Sequence, residues 1–290
     1  MIGTVLAFLA ALTYGLSAVL TRKKLNESNY FSATFILTAI GSLVLSPLAV
    51  ILTNFKIVNF QGIIFFVIAG ILAPGLMRLF YNKGMEIFGV SVNAAIYATY
   101  PVCSSIFAIL LLGEAPTLEN WIGVICITAG VIFIERSLGN SKAEFKVNSK
   151  KFLIFPLLAT LTTASSQLIS KYGLAIYNEP LLGVAIGYAV SLILYTLLLT
   201  FSKRYPRPSQ KDLQLFWKPG FFLSLGWALS FYALSYENIS IVAPLLQTEP
   251  LFILFLAHFQ LKGLEHVRPK VVMGIALIVT GAVLLIGNSG

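Results

Sequence analysis

The chain alternates long apolar runs with short polar stretches. The runs are too continuous for the period-2 pattern of a half-buried strand or the 3.6-residue pattern of a surface helix. Ten of them can be marked, at 2–20, 31–53, 61–82, 90–112, 118–137, 152–171, 181–201, 215–236, 241–261 and 268–287. Each is close to the roughly 20 residues that a helix needs to cross a hydrocarbon core about 30 Å thick. Lipid offers backbone groups no hydrogen-bond partner, so the runs are predicted to be helices. The longest polar connectors are 138–151, with Lys142, Lys146, Lys150 and Lys151, and 202–214, with Lys203, Arg204, Arg207 and Lys211. Neither could form a soluble domain. Met1–Thr4 carries no basic side chain before the first run, which is therefore expected to stay in the mature protein as a span.

The two halves of the pattern repeat each other. Phe80-Tyr81 corresponds to Phe231-Tyr232, and Gly123 and Gly130 to Gly274 and Gly281. Glu114 lies nine residues before Gly123, and Glu265 nine before Gly274. Pro101 corresponds to Pro250, and Leu12, Thr13, Ser17 and Arg22 to Leu161, Thr162, Ser166 and Lys171. The offset is 149 or 151 residues throughout. The chain thus divides into a first five-helix repeat (1–137), a polar connector (138–151) and a second five-helix repeat (152–290). Five crossings per half place the second half upside down relative to the first. The expectation is an all-α membrane protein, ten transmembrane helices as two inverted five-helix repeats. That arrangement is typical of secondary transporters, which hold solute near the midplane where the halves meet.

Composition agrees. Of 290 residues, 58% are hydrophobic and 11% charged, and the mean hydropathy is +0.88, too apolar to clothe a soluble surface. The net charge of +9 sits in connectors, not in a stripe with interleaved aromatics, which argues against a nucleic-acid partner. Connectors after odd-numbered spans hold nearly all the basic residues, from Arg22, Lys23 and Lys24 to Lys262, Arg268 and Lys270. By the positive-inside rule these are cytoplasmic and both termini face out, in an inner or plasma membrane. Cys103 and Cys126 lie inside apolar runs and read as small buried hydrophobes.

Ionisable groups within spans are costly and normally face a partner or water. Arg78, Lys171 and Glu249 are the candidates for solute binding, proton coupling or a static ion pair. Glu249 stands beside Pro250, which removes a helical hydrogen bond, and Pro101 does the same in the fourth span; both are expected kinks. Polar and aromatic residues at helical spacing outline a cavity wall: Tyr14, Ser17, Tyr81, Asn93, Tyr97, Tyr100, Thr163, Ser166, Gln167, Trp227, Tyr232 and Gln247. For any one of them, an interhelical hydrogen bond is the alternative. Gly123 and Gly130 favour close helix packing, within a monomer or between two in a homodimer. His258 and His266 have no partners at metal-ligand spacing, and no phosphate-binding loop is present, so neither a metal nor any other cofactor is expected.

The ordered set Tyr81 to Gly84, Val90–Ala95, Pro101, Gly113-Glu114, Gly123 and Gly130 recurs as Tyr232 to Tyr236, Ile241–Ala243, Pro250, Glu265, Gly274 and Gly281. This doubled order resembles the drug/metabolite transporter superfamily, in its EamA-type branch. Tyr14-Gly15 stands where that branch commonly has Trp-Gly, and Leu264 interrupts the second Gly-Glu step. The resemblance implies ten helices and carrier transport without nucleotide hydrolysis, often export of amino acids or other metabolites; membrane lipid and protons are the remaining expected partners. A carrier or flippase for a phosphorylated sugar or lipid-linked solute is the alternative within transport. An integral-membrane enzyme would need paired carboxylates or a histidine cluster, and a transport-inactive scaffold would leave the buried charges without a purpose.

Overall fold

The computed structural model describes residues 1–53, 58–88, 90–138, 152–202, 205–260 and 269–287. Thirteen α-helices follow in order: α1 (Ile2–Leu25), α2 (Tyr30–Leu52), α3 (Phe60–Gly70), α4 (Met77–Phe88), α5 (Val90–Tyr97), α6 (Tyr100–Phe107), α7 (Leu118–Leu138), α8 (Ile154–Ile176), α9 (Pro180–Phe201), α10 (Gln210–Tyr236), α11 (Ile239–Leu246), α12 (Glu249–Gln260) and α13 (Pro269–Gly287). No strand occurs among the described residues. Helices α2, α3 and α10 begin at side-chain caps. Asn29 Oδ1 accepts from the Ser32 amide at 2.8 Å. Ser209 and Asp212 form a reciprocal capping box at the start of α10.

Ten spans become thirteen helices because three spans are broken. The third divides into α3 and α4 at Ile71–Leu76, where Ala73 is extended (φ −145°, ψ 130°) and the Ala73–Pro74 peptide is cis. The fourth divides at Ala98-Thr99 and the ninth at Gln247-Thr248, in turns closed by Thr99 N–H to Ile96 O (3.1 Å) and Thr248 N–H to Leu245 O (3.1 Å). Pro101 and Pro250, expected as kinks, stand instead in the first turns of α6 and α12. A first-turn residue has no intrahelical amide partner to lose, so proline starts each half-helix without cost. The breaks themselves fall two or three residues earlier.

Among the described residues, eight stretches are long and apolar enough to cross a membrane by length and composition. The other two spans, α8 and α10, are 23 and 27 residues long. They are the more polar helices: α8 carries Thr160, Thr163, Ser166, Gln167 and Ser170 along its length.

The halves pack reciprocally. In the first half α1 lies against α10, α11 and α12 of the second; in the second half α8 lies against α3, α4 and α6 of the first. Helices α7 and α13 pair with each other at the glycines that marked the repeat. A Cβ on Gly123 would meet the Gly281 carbonyl oxygen at 3.0 Å, and one on Gly281 would meet that of Gly123 at 2.7 Å. The small-residue spacing therefore serves contact inside the monomer.

Candidate functional site

A cavity of about 600 Å³ lies where the halves meet. Its mouth is formed at the C-terminal ends of α1, α4 and α7 and the start of α2, by Arg22, Asn26, Tyr30, Met85 and Glu135. These ends belong to the face of the odd-numbered connectors. Arg22, Asn26 and Tyr30 are exposed there. The deep end is made by Tyr100, Ser166, Ser170 and Leu234, all buried.

Among the residues singled out in the sequence, Tyr14, Ser17, Arg78, Tyr81, Tyr97, Tyr100, Thr163, Ser166, Gln167, Trp227, Gln247, Glu249 and Pro250 line this cavity. The broken spans bring several of them in. The break after α5 sets Tyr97 and Tyr100 on the wall with ring centroids 5.3 Å apart, and Tyr81 of α4 meets Tyr97 edge-on at 5.0 Å. The break after α11 places Gln247 and Glu249 beside them. Tyr14 and Tyr188 both approach Trp227 edge-on, at 6.4 and 6.3 Å. The floor is tied by hydroxyls: Tyr14 donates to Ser230 Oγ (3.1 Å), Thr163 to the Tyr97 hydroxyl (3.2 Å) and Ser104 to Gln167 Oε1 (2.7 Å).

Four of the named residues lie elsewhere. Asn93 is fully buried, packed against Gly84. Tyr232, half-buried, and Pro101, buried at the start of α6, lie outside the cavity lining. Lys171 donates to the backbone oxygens of Leu234 (2.6 Å) and Glu237 (2.7 Å), the last turn and C-cap of α10. A cation suits that position, because the helix C-terminus presents unpaired carbonyls and the negative end of its dipole. Lys171 is thus accounted for by helix α10, not by Glu249.

The charges that do face the cavity are Arg22, Arg78, Glu135 and Glu249. Among the described residues no ion pair joins any of them. Arg78 Nε is buried without a hydrogen-bond partner. Glu135 and Arg78 are both near enough to Glu249 for their charges to act on it. A guanidinium is a planar donor fork matched to a carboxylate or phosphate, and a carboxylate accepts from an ammonium. The wall therefore offers a donor fork, two acceptor carboxylates and a set of aromatic faces within one space.

The sequence pattern did not single out Glu135, which stands near the end of an apolar run. It also missed the break in the third span, although the Pro74-Gly75 dipeptide inside an apolar run is a recognised interruption signal. The carbonyls freed there are taken up from the other half. Ser191 Oγ donates to Gly70 O (2.9 Å), Ser166 Oγ to Ala69 O (2.9 Å), and the Tyr195 hydroxyl reaches Pro74 O and Gly75 O (2.8 Å each). Irregular backbone at membrane depth persists only with such partners. Glu265, His266, Lys262 and Arg268 lie outside the described residues, as do most of the 138–151 connector and the side chain of His258.

Two inverted sets of five spans enclosing one polar, aromatic cavity at their junction define a multi-pass membrane protein of the carrier architecture. Residues 1–136 and 150–287 each match the sequence model of the EamA-like transporter family. The chain belongs to that family and is a membrane transporter of small solutes; the family's members are transporters rather than enzymes. An uncharacterized protein of Haemophilus influenzae is 28% identical over 115 residues, which are 39% of this chain and 88% of that protein. One solved crystal structure superposes with a TM-score of 0.77 over 98% of both chains at 15% identity. That likeness bears on the fold alone.

Proposed function

We propose that this protein is a carrier of the inner or plasma membrane that exports small amphipathic metabolites, amino acids or solutes like them, by alternating access. The observation that carries the reading is the cavity in which Arg78 and Glu249 stand among aromatic walls, neither of them in an ion pair among the described residues. Its volume of about 600 Å³ is of the size that small-molecule sites commonly have. In this reading Arg78 takes the carboxylate of the solute, Glu249 takes its ammonium group or a coupled proton, and Tyr81, Tyr97 and Trp227 face its apolar part. The cavity mouth lies on the face that the basic connectors assign to the cytoplasm, the face from which a solute for export would load.

A phosphorylated or lipid-linked solute is the less favoured reading. Lys171 is held by backbone carbonyls, leaving Arg78 and the rim Arg22 opposed by two carboxylates. Counterflow in proteoliposomes tests the proposal: vesicles preloaded with unlabelled amino acids should accumulate the matching radiolabelled one. Accumulation of sugar phosphates with no amino-acid counterflow would overturn it. A pH gradient applied across the same vesicles tests proton coupling.

A further inference from the structure

The cavity's deep end is closed by one short helix. All eight residues of α11 are buried, and it is wedged among α1, α6, α7, α8, α10 and α13. Its counterpart in the first repeat, α5, sits beside the open mouth and packs on α4, α7 and α8. Thus the same element of the repeat plugs one face and flanks the opening at the other.

Charged groups from outside α11 hold the plug at both sides of the turn that leads into it. Glu114, which follows the left-handed Gly113 (φ 69°), accepts from the Ile239 amide (2.8 Å), the Ser240 amide (3.1 Å) and the Ser240 hydroxyl (2.7 Å). These are first-turn donors of α11, where an anion also meets the positive end of the helix dipole. On the other side of the turn, Lys171 binds the Leu234 and Glu237 carbonyls at the end of α10. The Tyr100 hydroxyl donates to Ala243 O (3.2 Å) midway along the plug. Leu234 lines the cavity's deep end, so these contacts stand between the cavity and the opposite face of the membrane.

We propose that the α10–α11 turn with α11 is the gate on the face opposite the mouth, and that Glu114 and Lys171 are its latch. Releasing the two charged contacts lets α11 pivot about the Gln247-Thr248 break and opens the cavity to that face. The proposal assumes a carrier but no particular solute.

The test uses the full-length protein with Cys103 and Cys126 replaced by alanine and Leu246→Cys, at the cavity end of α11, added. A membrane-impermeant maleimide is applied to right-side-out and inside-out vesicles. With the latch intact, the thiol reacts from the mouth face. With Glu114→Gln or Lys171→Gln, labelling from the opposite face should rise by about tenfold, the scale expected when charge-assisted hydrogen bonds are lost. Where Glu114→Gln does not fold, Ser240→Ala, which removes one of the three hydrogen bonds, carries the test with a smaller rise. Unchanged face dependence in every folded latch variant overturns the proposal. Labelling needs no solute, so that failure stays distinct from failure of the counterflow experiment.

Discussion

Gly130 of α7 and Gly274 of α13 face each other so closely that neither has room for a side chain. A Cβ on Gly130 would lie 2.6 Å from the Gly274 carbonyl oxygen, and one on Gly274 would lie 2.7 Å from that of Gly130. The nearest atom in each case is a backbone carbonyl oxygen, which cannot rotate away. Gly130→Leu or Gly274→Leu must therefore push the helices apart, at a cost of about 1–3 kcal/mol or more. Thermal unfolding in detergent should show both variants melting lower than the wild type. Gly287→Ala, whose Cβ would meet nothing within 4 Å among the described residues, is the control and should melt unchanged.

That pair also shows what the sequence could convey. Equal spacing of glycines in two spans betrays a repeat, and an odd number of spans per repeat dictates inversion; both follow from counting. Glu249 and Arg78 were legible because a charge in an apolar run is conspicuous. Glu135 was not, because a charge at a run's end is ordinary. The role of Lys171 was hidden for a different reason. Its partners are backbone carbonyls of α10, residues 63 and 66 positions away, and carbonyls leave no trace in a sequence.

The break in the third span depends on donors from the second half. Tyr195 is fully buried, and its hydroxyl serves both Pro74 O and Gly75 O at 2.8 Å. Tyr195→Phe keeps the ring and removes the donor, leaving buried carbonyls short of a partner. The expected cost is about 1–3 kcal/mol, read as a lower melting temperature. An unchanged melting temperature would mean that the carbonyls find other donors.

Arg78 and Glu249 should separate in transport assays. Arg78→Lys keeps the charge but loses the planar fork, so solute affinity should fall by about tenfold or more. Glu249→Gln keeps size and hydrogen bonding but can no longer exchange a proton. If Glu249 couples transport to protons, this variant should still catalyse counterflow while losing any stimulation by a pH gradient. Gradient stimulation as large as the wild type's would remove the coupling role. Comparing the two variants in one proteoliposome series distinguishes binding from coupling.

Asp212 gives a pH-dependent prediction outside the apolar part of α10. Burial alone would raise its pKa, but hydrogen bonds from the Ser28 hydroxyl and from the Ser209 amide and hydroxyl outweigh this and hold the carboxyl below its usual range. The contact also ties the α1–α2 connector to the start of α10. A depressed folded-state pKa contributes stability above the unfolded value, about 4, and that contribution disappears as pH falls through the folded value. Asp212→Asn should therefore lower stability near pH 7 by about 0.5–1 kcal/mol, the lower part of the range for a helix cap. The gap between wild type and variant should narrow as the pH is taken below about 4. Melting curves at neutral and acid pH measure it directly, and a gap that widens on acidification would show that the carboxylate is not what stabilises this cap.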